Sequence, residues 1–146
     1  MARAAEHLRE GHAPILAQHP TLGQRRRRTQ DRGMWIMVSG PYTAGGADMA
    51  GRAANLCALN AAALALHRMG HVPIIGVNMA LPVIEAAGGG EAAFEAVMMP
   101  LSLALAERCD GCLRIGGASA GADAEAARFR AAGRPVWHDL SEVPGP

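Results

Sequence analysis

From Met34 onward the chain alternates short apolar runs with longer runs rich in Ala and Leu. Trp35-Ile36-Met37-Val38 reads as a buried strand ending at Ser39-Gly40-Pro41. Beyond a Gly-rich loop, Leu56, Leu59, Ala63 and Leu66 recur at helical spacing, which predicts a helix from about Asp48 to Met69 closed by Gly70. His71 to Gly76 reads as a second strand, with Pro73 near its start, where proline is tolerated. Gly76-Val77-Asn78-Met79 reads as the loop leaving that strand. Leu81 to Ala87 reads as a short helix broken by Gly88-Gly89-Gly90.

Glu91 to about Arg108 is a longer helical pattern, with Phe94, Val97, Met98, Leu101 and Leu105 on one side and Pro100 as a point of kinking. Gly111 to Ile115 is a third strand, Gly116 to Gly121 a loop, Ala122 to Ala132 a helix capped by Gly133, and Pro135-Val136-Trp137 a last strand. Crossovers this long join parallel strands. The expected architecture is an α/β, three-layer sandwich on a parallel sheet of four or five strands.

The first 33 residues break the pattern. Pro14, Pro20, Gly23 and the Arg25–Arg28 run interrupt any apolar period, so 1–33 is expected to be a basic, disordered leader and 34–146 the folded domain. The formal charge of +1 hides this division. The leader carries seven Arg against Glu6, Glu10 and Asp31, and the remainder carries seven Arg against ten acids. A mildly acidic domain argues against a nucleic-acid partner. All 14 basic residues are arginine, which excludes Schiff-base chemistry and a Walker-type phosphate lysine. Three cysteines, no secretory signal and no apolar run near 18 residues lead to the expectation of a cytoplasmic protein with no membrane partner.

In an open parallel sheet, ligands bind beyond the carboxyl ends of the strands. Three segments richest in Gly and small polar residues leave such ends: Ser39 to Gly46, Gly76 to Met79, and Gly116 to Gly121. The first is neither a Rossmann fingerprint nor a P-loop, and it is read equally as a flexible turn or a ligand loop. The third runs into a helix whose first turn is expected to hold Asp123 and Glu125. Acids there are favoured by the helix dipole alone, by ~0.3–1 kcal/mol each. The same dipole could keep Glu125 ionised as a nucleophile.

Ser119-x-Gly121-Ala122-x-x-Glu125, followed by Ala132-Gly133-Arg134-Pro135-Val136, resembles the signature of nucleoside 2-deoxyribosyltransferase-like proteins. The resemblance is nearest to their small DUF4406 branch and to deoxynucleoside 5′-monophosphate N-glycosidases. Ser39-Gly40-Pro41-Tyr42 and Cys109-Asp110 match as well, and the similarity spans Met34 to about Val143. It implies a flavodoxin-like fold, a nucleoside or nucleotide substrate, no cofactor, and Glu125 as nucleophile at the anomeric carbon. Ser119 and backbone amides near Gly121 would hold a 5′-hydroxyl or phosphate, and Gly40 would let the sugar approach the first strand. Ser39, Pro41 and Gly117 complete the implied binding set, and Tyr42 is the aromatic expected beside sugar or base. Asn78, at a strand end, is read equally as a hydrogen-bonding group for a base edge or as a turn-forming Asn. Homo-oligomers are also implied.

Two positions depart from that pattern. Ser102 stands where relatives place a proton-transferring Asp, leaving Glu95, seven residues earlier, as a substitute catalytic group. Thr43-Ala44 stands where nucleotide hydrolases carry a phosphate-binding Arg. Two other readings remain open: a non-catalytic nucleotide-binding module, and a cytokinin-activating phosphoribohydrolase, whose glycine motif is partly matched by Gly121-Ala122-x-x-Glu125. The Cys109-x-x-Cys112 pair is read as structural, because it ends a helix rather than beginning one. His67 and His71 are not read as metal ligands, since Gly70 separates them. His138 is read as a surface residue or part of a pocket rim.

Overall fold

Strand β1, Trp35–Ser39, alternates its side chains between two layers. Ile36 and Val38 face a helix, α1, Met49–Arg68, and pack on its Leu59, Ala62 and Leu66 together with Leu113. Met37 faces the opposite layer, among Ala106, Cys112, Ala126 and Phe129. Ser39, next on that second face, is a buried polar residue. It meets a carboxylate.

A computed structural model describes residues 32–146. The expectation for the leader therefore falls almost wholly outside the described residues. The remaining elements are β2 (Val72–Ile74), α2 (Gly76–Ala86), α3 (Gly90–Ala106), β3 (Gly111–Arg114), α4 (Ala120–Ala131) and β4 (Val136–Trp137), with short 3-10 turns at Ala44–Gly46 and Leu140–Glu142. The four strands pair in parallel in the order β2-β1-β3-β4. That is the flavodoxin-like order, in which the chain reverses its direction of travel across the sheet between β1 and β3. Layers of α1 on one face and α3 with α4 on the other complete the three-layer sandwich.

The local chemistry explains the boundaries. Asp48 caps α1 by accepting the Gly51 N–H at 2.8 Å. Pro73 is tolerated because β2 is an edge strand, paired only with β1. Gly76 to Met79, expected as loop, is instead the first turn of α2, which runs on through Pro82. Gly88, Gly89 and Gly90 all take positive φ and turn the chain from α2 into α3. α3 continues through Pro100. α4 begins two residues earlier than the pattern suggests because Ser119 caps it, its Oγ accepting the Ala122 N–H at 3.3 Å.

Two tethers secure the start of the sheet. The Asp110 carboxylate accepts the Trp35 N–H at 2.8 Å, joining the entry to β3 to that of β1. His71, 2% exposed, accepts the Met34 N–H on Nδ1 at 3.1 Å, while Nε2 lies 2.9 Å from the Pro144 carbonyl. Val143 is thereby held against the α1 layer.

Contrary to the expectation that no apolar run approaches 18 residues, α1 is long and apolar enough to cross a membrane by length and composition. In the fold it is the crossover between β1 and β2, with three buried residues seated on the sheet.

Candidate functional site

The buried stripe of α4 is Ala122, Glu125, Ala126 and Phe129, one face at spacings of three and four. An acid on that stripe points at the sheet rather than at water. Because α4 begins at Ala120, Glu125 lies in the second helical turn, beyond the reach of a first-turn dipole explanation. Asp123 is the acid in the first turn, and it pairs with Arg114 at 3.0 Å.

Glu125 is 9% exposed, and each carboxylate oxygen has a hydroxyl donor. Ser39 Oγ donates to Oε2 from the end of β1, and Ser102 Oγ donates to Oε1 from α3. Ser102 belongs to the buried stripe Met98, Ser102, Ala106 of α3. It fits only because residue 76 is glycine: a Cβ at Gly76 would lie 2.0 Å from Ser102 Oγ. Three elements thus converge on one carboxylate at the carboxyl end of β1, beside the β1/β3 switch point.

Glu125 forms part of the wall of a cavity of about 290 Å³. Tyr42, Thr43 and Ala44 bound it from the loop after β1, Leu59 from α1, and Gly76 and Val77 from α2. Phe94, Met98 and Met99 line it from α3, and Ser119 to Ala122 from the start of α4. The volume suits a small ligand, being at the lower end of ordinary ligand sites. Apart from Glu125, the lining residues carry no ionisable group other than the Tyr42 phenol, counted among the described residues. The exposed amides at the α4 N-terminus and the Ser119 hydroxyl are its polar contribution at that end.

Of the expected site residues, Gly40, Tyr42, Ser119, Gly121 and Glu125 line this cavity. Ser39 stands behind Glu125, as its hydrogen-bond donor. Pro41 is not in the lining and abuts Gly116. Gly40 is required for packing, since a Cβ there would come within 2.9 Å of Leu59 Cδ2 and 3.0 Å of the Ile115 carbonyl.

Three expected residues lie elsewhere. Glu95 is exposed on α3 and lines no part of the cavity, because the inward face of that turn is given to Phe94 and Met98. Asn78 is exposed on α2 and donates to Asn60 of α1 at 2.8 Å. The Gly117 carbonyl accepts from Arg114 at 2.8 Å, which fixes the loop after β3 and leaves Gly117 outside the cavity. His138 borders a separate surface depression with Arg114 and Gly116.

Sequence reasoning missed Ser102 as a donor, together with Gly76 and Arg114. Arg114 is 8% exposed, and its guanidinium also reaches the Ile115 carbonyl. The spacing of Ser102 four residues from both Met98 and Ala106 marked it as inward-facing. No sequence signal tied it to Glu125, which lies across the fold.

Cys109 and Cys112 are buried and free. Burial, and secondarily the Asp110 charge, pushes the Cys109 thiol up to about 11. Burial and then the nearby Glu125 charge push Cys112 up to about 12. Neither supplies a thiolate near neutral pH, in keeping with a structural pair. Among the described residues, no group of three or more His, Cys, Asp or Glu side chains is arranged to hold a metal.

A buried carboxylate steadied by two hydroxyls, facing an apolar cavity, can attack or stabilise an electron-poor carbon. Comparison of the chain with known proteins returns no matching family model and no matching curated protein.

Proposed function

We propose that the protein cleaves or transfers the N-glycosidic bond of a nucleoside or nucleoside 5′-monophosphate, with Glu125 as nucleophile. The observation that carries this reading is the Glu125 carboxylate itself, buried in a ligand-sized cavity and oriented by Ser39 and Ser102. The resemblance to nucleoside 2-deoxyribosyltransferase-like proteins, with Glu125 at the nucleophile position, supports the same assignment.

A glycosyl ester on Glu125 would form as the base departs, and water or a second base would resolve it. The hydroxyl donors hold one lone pair of each oxygen and leave the others free for attack. Ser119 and the first amides of α4 would take a 5′-hydroxyl or phosphate. Free thiols fit a reducing compartment, so we place the enzyme in the cytoplasm. A homo-oligomer is proposed on the resemblance, and a strictly monomeric mass by light scattering rejects it.

One observation favours a second reading, a nucleotide-binding module without turnover: Ser102 replaces the family's acid, and Glu95 does not reach the cavity. A single assay separates the two. The full chain is incubated with deoxynucleosides and their monophosphates, and free base is measured by chromatography. Base release lost in Glu125→Gln supports the enzyme. Binding without release supports the module, and release that persists in Glu125→Gln refutes Glu125 as nucleophile.

A further inference from the structure

Cleaving a neutral nucleoside leaves negative charge on the departing base, which an enzyme ordinarily quenches by protonation. Such a site pairs its nucleophile with a second acid, as in the two carboxyl groups of retaining glycosidases. Here the cavity wall holds a single carboxylate. Among the described residues it holds no second Asp or Glu, no His and no Arg. The hydroxyl where an acid would help, Ser102 Oγ, is already committed to Glu125. Its remaining proton carriers are hydroxyls, far weaker acids than a carboxylic acid or an imidazolium.

The rest of the wall has a matching character. Phe94 and Tyr42 present aromatic rings, and Met98 and Met99 present polarisable thioethers. Aromatic faces and a buried carboxylate attract a flat cation. Among the described residues no cation lines the cavity; the Arg52 guanidinium lies 6.0 Å from the Tyr42 ring centroid, so Phe94 and Glu125 are the groups that would meet a cationic base.

We propose that the site is built for N-glycosides whose base is already a cation, such as an N-alkylated purine or a pyridinium nucleoside. This rests on Glu125 acting as the nucleophile. Its carboxylate bonds to C1′ while the C1′–N bond breaks, and the electron pair moves onto the ring nitrogen and cancels its charge. The base leaves neutral and no protein acid is needed. Water then attacks the glycosyl ester, giving the free sugar, regenerating the carboxylate and releasing one proton to solvent.

The test compares 7-methylguanosine with guanosine, which differ by a methyl group and a positive charge, and adds nicotinamide riboside as a second cationic probe. Base release by the full chain is followed by chromatography and corrected for spontaneous hydrolysis. Binding of each nucleoside is measured by calorimetry. The expectation is a kcat/KM for 7-methylguanosine at least about tenfold above that for guanosine, with release abolished by Glu125→Gln. The same variant should weaken 7-methylguanosine binding by about tenfold and leave guanosine binding little changed.

Glu125-dependent cleavage of guanosine at an equal or greater rate overturns the charge preference and leaves the N-glycosidase reading intact. Guanosine cleavage abolished by Tyr42→Phe also overturns it, by identifying a proton donor. Charge-selective binding without release supports the cation site and refutes turnover. The absence of both release and charge-selective binding refutes the charge preference, and base release from the deoxynucleosides and monophosphates then decides the N-glycosidase reading separately.

Discussion

The tightest link between a local sequence choice and the site is Gly76, and Gly76→Ala tests it. Gly76 does not have a positive φ, so alanine is compatible with its backbone and with the first turn of a helix. The obstacle is steric. The new Cβ would lie 2.0 Å from Ser102 Oγ and 2.8 Å from Ser102 Cβ, so the serine must leave its position. Overpacking of this kind costs about 1–3 kcal/mol. Loss of the hydroxyl from the buried Glu125 carboxylate adds about 1.5–3 kcal/mol, the range for hydrogen bonds to charged groups. Ser102→Gly alone loses the same hydrogen bond and pays roughly 0.5 kcal/mol more for glycine inside α3.

In the Gly76→Ala/Ser102→Gly double variant the two severe contacts are gone, leaving a 3.3 Å approach to the Cα of residue 102, and the hydrogen bond can be lost only once. The double variant should therefore be about as stable as Ser102→Gly, with a coupling of at least about 2 kcal/mol in the cycle. Urea denaturation followed by circular dichroism reads all four proteins. Additive costs within about 0.5 kcal/mol would refute the claim that Gly76 exists to admit Ser102.

Other consequences can be measured as directly. Gly111→Ala places a Cβ 2.5 Å from the Trp137 ring and should destabilise the chain by about 1–3 kcal/mol, seen as a lower Tm and a shift in Trp fluorescence. His71→Ala removes both hydrogen bonds that join Met34 to Pro144 and should cost about 2–4 kcal/mol; a cost below about 0.5 kcal/mol counts against the tether. Iodoacetamide at pH 8 should label one thiol per folded chain, Cys57, and three after denaturation, read by mass spectrometry. Raising the pKa of Cys109 to about 11 and of Cys112 to about 12, from 9.0, means the unfolded chain binds fewer protons in that interval. The stabilisation from these neutral thiols is complete below pH 9 and is lost as pH rises through the folded values, so denaturation midpoints should fall above pH 9.

The strands and long helices were legible because each carries its own periodicity. Ile36, Val38 and Leu113 alternate with Met37 and Cys112, and no tertiary information is needed to see that both faces are covered. The start of α2 was not legible. Gly76-Val77-Asn78 has the composition of a turn, and Ile75 offers no side-chain cap. The glycine there answers to packing against Ser102, a requirement set by a residue 26 positions away in sequence. The start of α4 differs for a local reason: Ser119 is a favourable cap residue, and capping by its side chain starts the helix at Ala120, ahead of the apolar pattern.

The site was legible as a set of loops and only partly as a set of side chains. Glu125 could be picked out by its place on the stripe with Ala122, Ala126 and Phe129, where a charge is costly unless something is bonded to it. What is bonded to it could not be read, since Ser39 and Ser102 lie 86 and 23 residues away and reach it only through the parallel stacking of β1 and α3 against α4. Ser102 then changes meaning. Set against the resembled pattern it stands where an acid was expected, while in the fold it joins Ser39 in bonding the buried carboxylate, which is the one carboxyl group in the cavity lining among the described residues. Under the proposed function, the serine that weakens the case for protonating a neutral base strengthens the case for a base that needs no proton.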